Sequence, residues 1–186
     1  AQIVGRSKQQ SFLQEVGLLD EYFLEIHETG IPILPKKWSD NSMITISFGQ
    51  GLSVVPLSFA SGVASIVNGG YRIQPTLYRQ IKNDLRGKSI VSEGVSEKIR
   101  YAMRQVVIKG SGSKANVPGY AVIGKTGTAD IPCNGSYGGC GNRTAFVGAF
   151  PGWDPQYILL VSFERPKTKI KEGVNGNSSY WNAGPA

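Results

Sequence analysis

The feature that most constrains the fold is a pair of short apolar segments joined by a five-residue connection. Residues 144–150 and 157–163 are rich in branched and aromatic side chains, a composition typical of buried strands. The connection, Pro-Gly-Trp-Asp-Pro at 151–155, has the length of a hairpin turn, so the two strands are predicted to be antiparallel neighbours. A third strand is predicted at 120–123. The last third of the sequence therefore predicts an antiparallel sheet.

Earlier in the sequence, apolar residues recur at helical spacing. Helices are predicted over Arg6–Val16, Pro56–Val67 and 92–108. The second is apolar nearly all round and is expected at the centre of the fold, whereas the third is amphipathic with a basic polar side. The prolines within 31–35 require an extended backbone there. Helices followed by an antiparallel sheet predict the α+β class, and 186 residues suit one domain.

The net charge of +7 comes from one segment, residues 79–125, which holds ten basic and three acidic side chains. Such an excess fits either an anionic polymer, nucleic acid or cell wall, or a solvated helix face with surplus lysines. No nucleic-acid-binding signature accompanies the charge, so nucleic acid is not expected as a partner. Residues 41–71 carry no charge, but polar residues interrupt them, and the densest part, 54–67, is too short to span a bilayer.

Two cysteines, Cys133 and Cys140, flank a glycine-rich stretch. A disulfide that closes this loop is the simplest interpretation, and it indicates an oxidising compartment. A zinc site would need two further ligands, and the single histidine, His27, is over a hundred residues away. We therefore expect no metal and no other cofactor.

The stretch most informative about chemistry is Gly-Lys-Thr-Gly-Thr-Ala at 124–129. Lys125 offers a positive charge, Thr126 and Thr128 offer hydroxyl donors for a carboxylate, and Gly127 lets a ligand approach the backbone. A backbone N–H beside them could face a developing oxyanion. The alternative is a polar strand end with a solvated lysine. A phosphate-binding loop is not expected, because no helix is predicted after the motif.

Lys-Thr-Gly is also the third element of a signature shared by penicillin-binding proteins and serine β-lactamases, whose other elements are Ser-x-x-Lys and Ser-x-Asn. Further segments match in order: Ser-Phe-Gly-Gln-Gly at 47–51, Val-Pro-Leu at 55–57, Val-Asn-Gly-Gly at 67–70 and Gly-Tyr at 119–120. With these, the sequence resembles the second half of a class B penicillin-binding protein, and the division-specific type fits best. The resemblance covers nearly the whole chain, to residues 181–186.

This resemblance implies helices packed on an antiparallel sheet and a D,D-transpeptidase of septal cell-wall synthesis that β-lactams acylate. Lys125 and Thr128 are the implied catalytic residues: Lys125 organises hydroxyls at the nucleophile, and the Thr128 amide forms part of the oxyanion hole. Lys125, Thr126, Gly127 and Thr128 are the implied substrate-binding residues, with the two threonines holding the substrate carboxylate.

The resemblance also implies partners and a location. The expected partners are a peptidoglycan stem peptide ending in D-alanyl-D-alanine, β-lactams and the remainder of the same transpeptidase domain, with proteins of the divisome as further candidates. The expected location is the periplasmic face of the bacterial inner membrane, with an anchor outside these residues. Two other classes stay open: a β-lactamase or D,D-carboxypeptidase-like hydrolase, and a non-catalytic module that binds β-lactams or cell wall.

Two further matches to the signature are interpreted as coincidences. Ser-Gly-Ser-Lys at 111–114 lies among glycines and follows the Ser-x-Asn candidate, Ser-Asp-Asn at 39–41, which reverses the family's order. Residues 1–186 are therefore expected to be the carboxyl-terminal portion of a single transpeptidase domain, beginning after the nucleophile. The isolated chain is expected to form no stable acyl adduct with a penicillin, at Ser111 or elsewhere.

Overall fold

The computed structural model describes residues 2–21, 24–26, 28–79, 87–133 and 140–166. The expectations that involve His27 and residues 181–186 lie outside these ranges. Two units divide the chain, a first unit of Ala1–Ile99 and a second unit of Arg100–Ala186, and each is described separately. The elements in chain order are α1 (Arg6–Val16), α2 (Asp40–Ser47), α3 (Pro56–Val67), α4 (Glu93–Lys109), a single 3-10 turn (Ser113–Ala115), β1 (Ile123–Asp130), β2 (Asn142–Phe150) and β3 (Tyr157–Glu164).

The three predicted helices are present, and two of them have the predicted bounds. Arg6–Val16 and Pro56–Val67 form α1 and α3, and the predicted helix at 92–108 is α4, displaced by one residue. The short helix α2 has no counterpart in the sequence-based prediction. Ser39 begins it as an N-cap, because its hydroxyl accepts a hydrogen bond of 3.1 Å from the Ser42 amide.

Polar contacts join α1 to the region of α2 in the first unit. Trp38 Nε1 donates to Gln9 Oε1 at 3.1 Å, and Gln9 Nε2 donates to the Met43 carbonyl at 3.0 Å. Helix α3, expected to be apolar nearly all round and central, is exposed at its start, where Leu57 is 39% exposed. Close packing through small side chains accounts for its burial instead, and the buried residues are Ser58, Ser61, Gly62, Ser65 and Val67.

The second unit contains a three-stranded antiparallel sheet in the order β1-β2-β3. The predicted hairpin of β2 and β3 is confirmed. The strand predicted at 120–123 was misplaced, because β1 starts at Ile123 and continues to Asp130. Ala121 has a positive φ of 48°, which interrupts the extended backbone before the strand. Eight cross-strand pairs with β2 then hold a strand in which two residues, Ile123 and Gly124, are buried.

The core of the second unit lies between α4 and one face of the sheet. Val107, Val122 and Phe146 form a buried cluster, with Ala115 and Phe150 packed against it. Arg104 of α4 donates to the Val122 carbonyl at 2.7 Å and to Asn116 Oδ1 at 3.1 Å. These contacts hold the end of α4 and the following turn beside the start of β1. Within the described ranges, no helix is long and apolar enough to cross a membrane.

Candidate active site

Strand β1 carries the whole Lys-Thr-Gly-Thr motif, with Lys125, Gly127 and Thr128 exposed and Thr126 partly exposed. Successive side chains of a strand point to opposite faces, so Thr126 and Thr128 share one face and Lys125 and Gly127 the other. Thr126 lies opposite Phe146 on β2, and Thr128 lies opposite Thr144. The two threonines are therefore on the face that packs against α4, and the motif lies within β1 rather than after a strand at 120–123.

The side chain of Lys125 bonds to the backbone of its own strand. Its Nζ donates a hydrogen bond of 2.7 Å to the carbonyl oxygen of Thr126. Among the described strands, β1 pairs only with β2, so one edge of β1 is open to another extended segment. The structure thus brings the ammonium group of Lys125 to the backbone of Thr126.

The two glycines of the motif have different surroundings. A Cβ at Gly124 would lie 2.2 Å from Phe146 Cζ, which shows that the Phe146 ring occupies the space of a side chain there. At Gly127, no heavy atom of the described chain lies within 4 Å of the Cβ position, apart from the glycine itself and its two chain neighbours. Gly124 therefore serves packing, and the surface at Gly127 is open for a ligand to approach the backbone.

The structure places Ser111 beside the motif, which the sequence did not indicate. Ser111 follows the end of α4, and its Oγ lies 2.6 Å from Thr126 Oγ1, within hydrogen-bond distance. Lys114, its partner in the letters Ser-x-x-Lys, lies in the exposed 3-10 turn. This geometry differs from a nucleophile and base on the first turn of a buried helix. The sequence could not predict this contact, because Ser111 follows a helix and is 15 residues away from Thr126.

The Ser-x-Asn match and the phosphate-loop spacing correspond to ordinary structural features. Ser39 of the Ser-x-Asn match caps α2 in the first unit. Gly124, Lys125 and Thr126 lie inside a strand that continues to Asp130, so a phosphate-binding loop followed by a helix is not formed.

A disulfide and an ion pair lie at the far end of β1 and β2. Cys133 and Cys140 are bonded with their Cα atoms 5.9 Å apart, and the Ile131 amide donates to the Gly141 carbonyl at 2.9 Å. The residues between the cysteines lie outside the described ranges.

The ion pair joins Arg143 of β2 to Glu164 of β3 at 2.6 Å. The hydrogen bond from Arg143, together with its charge, lowers the pKa of the Glu164 carboxyl.

Among the described residues of the second unit, β1 carries the ammonium group of Lys125 and the hydroxyls of Thr126 and Thr128, Ser111 lies beside Thr126, and one edge of β1 has no partner strand. Hydroxyl and ammonium groups are donors suited to a carboxylate, and the strand edge suits the backbone of an extended peptide. Among the described residues, no group of three His, Cys, Asp or Glu side chains could hold a metal ion.

Comparison with known sequences agrees with this arrangement. The family model described as the penicillin-binding protein transpeptidase domain matches residues 1–179. The "Probable peptidoglycan D,D-transpeptidase FtsI" of Caulobacter vibrioides is 30% identical over 197 residues, covering 100% of this chain and 33% of the relative. "Stage V sporulation protein D" of Bacillus subtilis is 31% identical, covering 91% of this chain and 28% of the relative. The chain thus spans about a third of the length of these curated relatives.

Solved structures give the same result. The apo transpeptidase domain of Burkholderia pseudomallei penicillin-binding protein 3 matches with a TM-score of 0.80 at 27% identity, over 87% of this chain and 50% of that chain. Penicillin-binding protein 3 of Mycobacterium tuberculosis in complex with ampicillin matches with a TM-score of 0.78 at 26% identity, over 89% of this chain and 41% of that chain. The predicted α+β class, with helices and an antiparallel sheet, is confirmed.

Proposed function

Because this chain belongs to the penicillin-binding protein transpeptidase domain family, in its class B group, we propose that the complete protein is a peptidoglycan D,D-transpeptidase. In this proposal, β1 binds the D-alanyl-D-alanine terminus of a stem peptide. The observation that carries it is the exposed Lys-Thr-Gly-Thr segment on a strand with an open edge. Relatives named as D,D-transpeptidases, and one solved with ampicillin, support both the reaction and its inhibition by β-lactams.

Each residue of the motif has a distinct part in the proposed reaction. The hydroxyls of Thr126 and Thr128 donate to the terminal carboxylate, and the ammonium group of Lys125 supplies the compensating charge. Gly127 leaves room for the peptide backbone at the strand edge. The Thr128 amide donates to the oxygen that becomes negative in the tetrahedral intermediate. These groups bind and polarise the substrate, and they do not form the covalent bond.

The covalent step needs a nucleophilic serine, and Ser111 does not suit this role. It is exposed in a turn and hydrogen-bonded to Thr126. We assign the nucleophile to polypeptide outside these 186 residues. Its Oγ attacks the carbonyl carbon of the penultimate D-alanine, the C–N bond breaks, and D-alanine leaves with the proton. An amine of a neighbouring stem peptide then attacks the ester, which forms the cross-link and restores the serine.

The proposal includes the cellular setting. The relative from the bacterium Caulobacter vibrioides is named as a probable peptidoglycan D,D-transpeptidase, and the disulfide Cys133–Cys140 suits an oxidising compartment. We place the catalytic domain on the periplasmic face of the inner membrane, where division proteins are the natural partners. Residues 1–186 would form the carboxyl-terminal portion of that single domain.

The test is acylation of the complete gene product by a fluorescent penicillin. Replacing Thr128→Val keeps the shape of the side chain and removes its hydroxyl, so we expect the acylation rate constant to fall about 10- to 100-fold, the loss of a hydrogen bond to a charged group. Ser162→Ala is the matched control, since it removes an exposed hydroxyl from β3 of the same sheet.

Two results would count against the proposal. A Thr128→Val rate equal to that of the unmodified protein would remove the carboxylate-binding role. Rapid hydrolysis of the acyl group, with release of active enzyme, would instead indicate a β-lactamase or carboxypeptidase-like hydrolase.

A further inference from the structure

The hydroxyl groups of Ser111 and Thr126 form a contact that the proposed reaction does not yet use. Ser111 Oγ lies 2.6 Å from Thr126 Oγ1, and 15 residues separate the two in the sequence. The serine side chain is exposed and that of the threonine is partly exposed, so water could satisfy either hydroxyl. A direct bond at an accessible position, to a residue of the binding motif, therefore suggests a role beyond satisfying a polar group.

The backbone around Ser111 is fixed by contacts on both sides. The amides of Gly110 and Gly112 donate to the Val106 carbonyl at 3.0 and 3.2 Å, which closes the turn onto the end of α4. A Cβ at Gly112 would lie 3.3 Å from Phe146 Cε2, so the turn rests closely on that ring.

Phe146 is the cross-strand partner of Thr126. The packing of Gly112 on Phe146 therefore sets the position of the Ser111 side chain relative to Thr126.

The direction of the bond follows from the number of protons. Each hydroxyl has one proton to donate and can accept through its oxygen. If Thr126 gives its proton to a carboxylate, its oxygen is left to accept, and Ser111 is the neighbour placed to donate to it. A hydrogen bond donated to a hydroxyl oxygen also strengthens the bond that this hydroxyl donates.

We propose that Ser111 is a positioning residue that donates to Thr126 Oγ1 and so directs the Thr126 hydroxyl toward the carboxylate of the bound ligand. This inference rests on the proposed function, since it assigns Thr126 to carboxylate binding. Ser111 itself does not touch the ligand. This role explains the first serine of the Ser-Gly-Ser-Lys stretch as a hydrogen-bond donor and not as a nucleophile.

The experiment measures the second-order rate constant for acylation of the complete gene product. The ligands are benzylpenicillin and its methyl ester, which lacks the carboxylate. The variants are Ser111→Ala, Ser111→Thr and Ser113→Ala, the last removing an exposed hydroxyl two residues away in the same turn. Ser111→Ala is also combined with Thr126→Val, which removes the acceptor.

With benzylpenicillin, we expect Ser111→Ala to lower the rate constant about three- to tenfold, the loss of one neutral hydrogen bond, through weaker binding rather than slower chemistry. Ser111→Thr restores the rate, and Ser113→Ala leaves it unchanged. With the methyl ester, or in the Thr126→Val background, Ser111→Ala changes the rate less than about 1.5-fold, because the group through which it acts is missing.

Other results overturn the inference. If Ser111→Ala leaves the rate constant unchanged, the contact has no role in ligand binding. If Ser111→Ala lowers the rate constant equally with both ligands, or equally with and without Thr126→Val, the contact only stabilises the turn. Failure of benzylpenicillin to acylate the unmodified protein would contradict the proposed function itself, and the role of Ser111 with it.

Discussion

Two requirements act on the residues of β1, close packing against β2 and an open surface for a ligand. Its two glycines illustrate one requirement each. The Phe146 ring occupies the space that a side chain at Gly124 would need, whereas a side chain at Gly127 would enter open space. The sequence predicts Lys125, Thr126 and Thr128 as site residues because a positive charge and two hydroxyl donors in one short motif suit a carboxylate. It could not identify Ser111, because the contact depends on how the turn after α4 lies on the sheet.

Alanine at each glycine tests this separation. We expect Gly124→Ala to lower the free energy of unfolding by about 1–3 kcal/mol or more, since the new methyl group must displace Phe146. Gly127→Ala is expected to change stability by less than about 0.5 kcal/mol, as at other open surface positions. It should nevertheless reduce acylation by penicillin, because the methyl group occupies the open space through which the ligand is proposed to approach the backbone. Urea unfolding and acylation rates measure the two effects, and a stable Gly127→Ala protein with full acylation would contradict the role of Gly127.

The Arg143–Glu164 pair gives a prediction about pH. Its hydrogen bond and charge lower the pKa of Glu164 in the folded protein, so the contribution of the pair to stability is complete above the pKa of unfolded glutamate and is lost as pH falls through the folded value. An NMR titration should give a Glu164 midpoint below the ordinary value. Arg143→Gln should raise this midpoint, and Arg165→Gln should raise it less. Equal midpoints in the unmodified protein and Arg143→Gln would disprove the pairing.

At the scale of elements, helices and strands with a strong apolar pattern were predicted correctly from the sequence, whereas the polar strand β1 was misplaced. Helices α1 and α3 were predicted because apolar residues recur at helical spacing, and the β2–β3 hairpin because two apolar runs flank a short turn. Strand β1 was misplaced because cross-strand pairing along an exposed edge tolerates lysine, threonine and glycine. Helix α2 was missed because it is eight residues long and depends on its serine cap.

The disulfide is the element-scale feature that is simplest to test. It closes a short loop between β1 and β2, so opening it should lower the free energy of unfolding by about 2 kcal/mol, from the added freedom of the unfolded chain. Urea unfolding with and without a reductant measures the change. The sequence has two cysteines, so the Cys133→Ser/Cys140→Ser variant should be insensitive to the reductant. Equal stability of the oxidised and reduced protein would show that the bond does not restrain the hairpin.

At the scale of the whole molecule, the family matches nearly the full chain while the chain covers only about a third of its curated relatives. The family could be identified from the sequence because its motifs occur in a fixed order from 47–51 to 124–129. The sequence does not identify a nucleophile. The two serines that match the signature, Ser39 and Ser111, lie in a helix cap and in an exposed turn. In the proposed function, residues of β1 bind the carboxylate, and the covalent step is assigned to polypeptide outside these 186 residues.

A crystal structure of the complete gene product after reaction with ampicillin would test the account most directly. We predict that the carboxylate of the bound drug lies within about 3 Å of the hydroxyl oxygens of Thr126 and Thr128, with its amide group alongside β1. An ordered drug molecule whose carboxylate is held by other residues, away from this strand, would contradict the account.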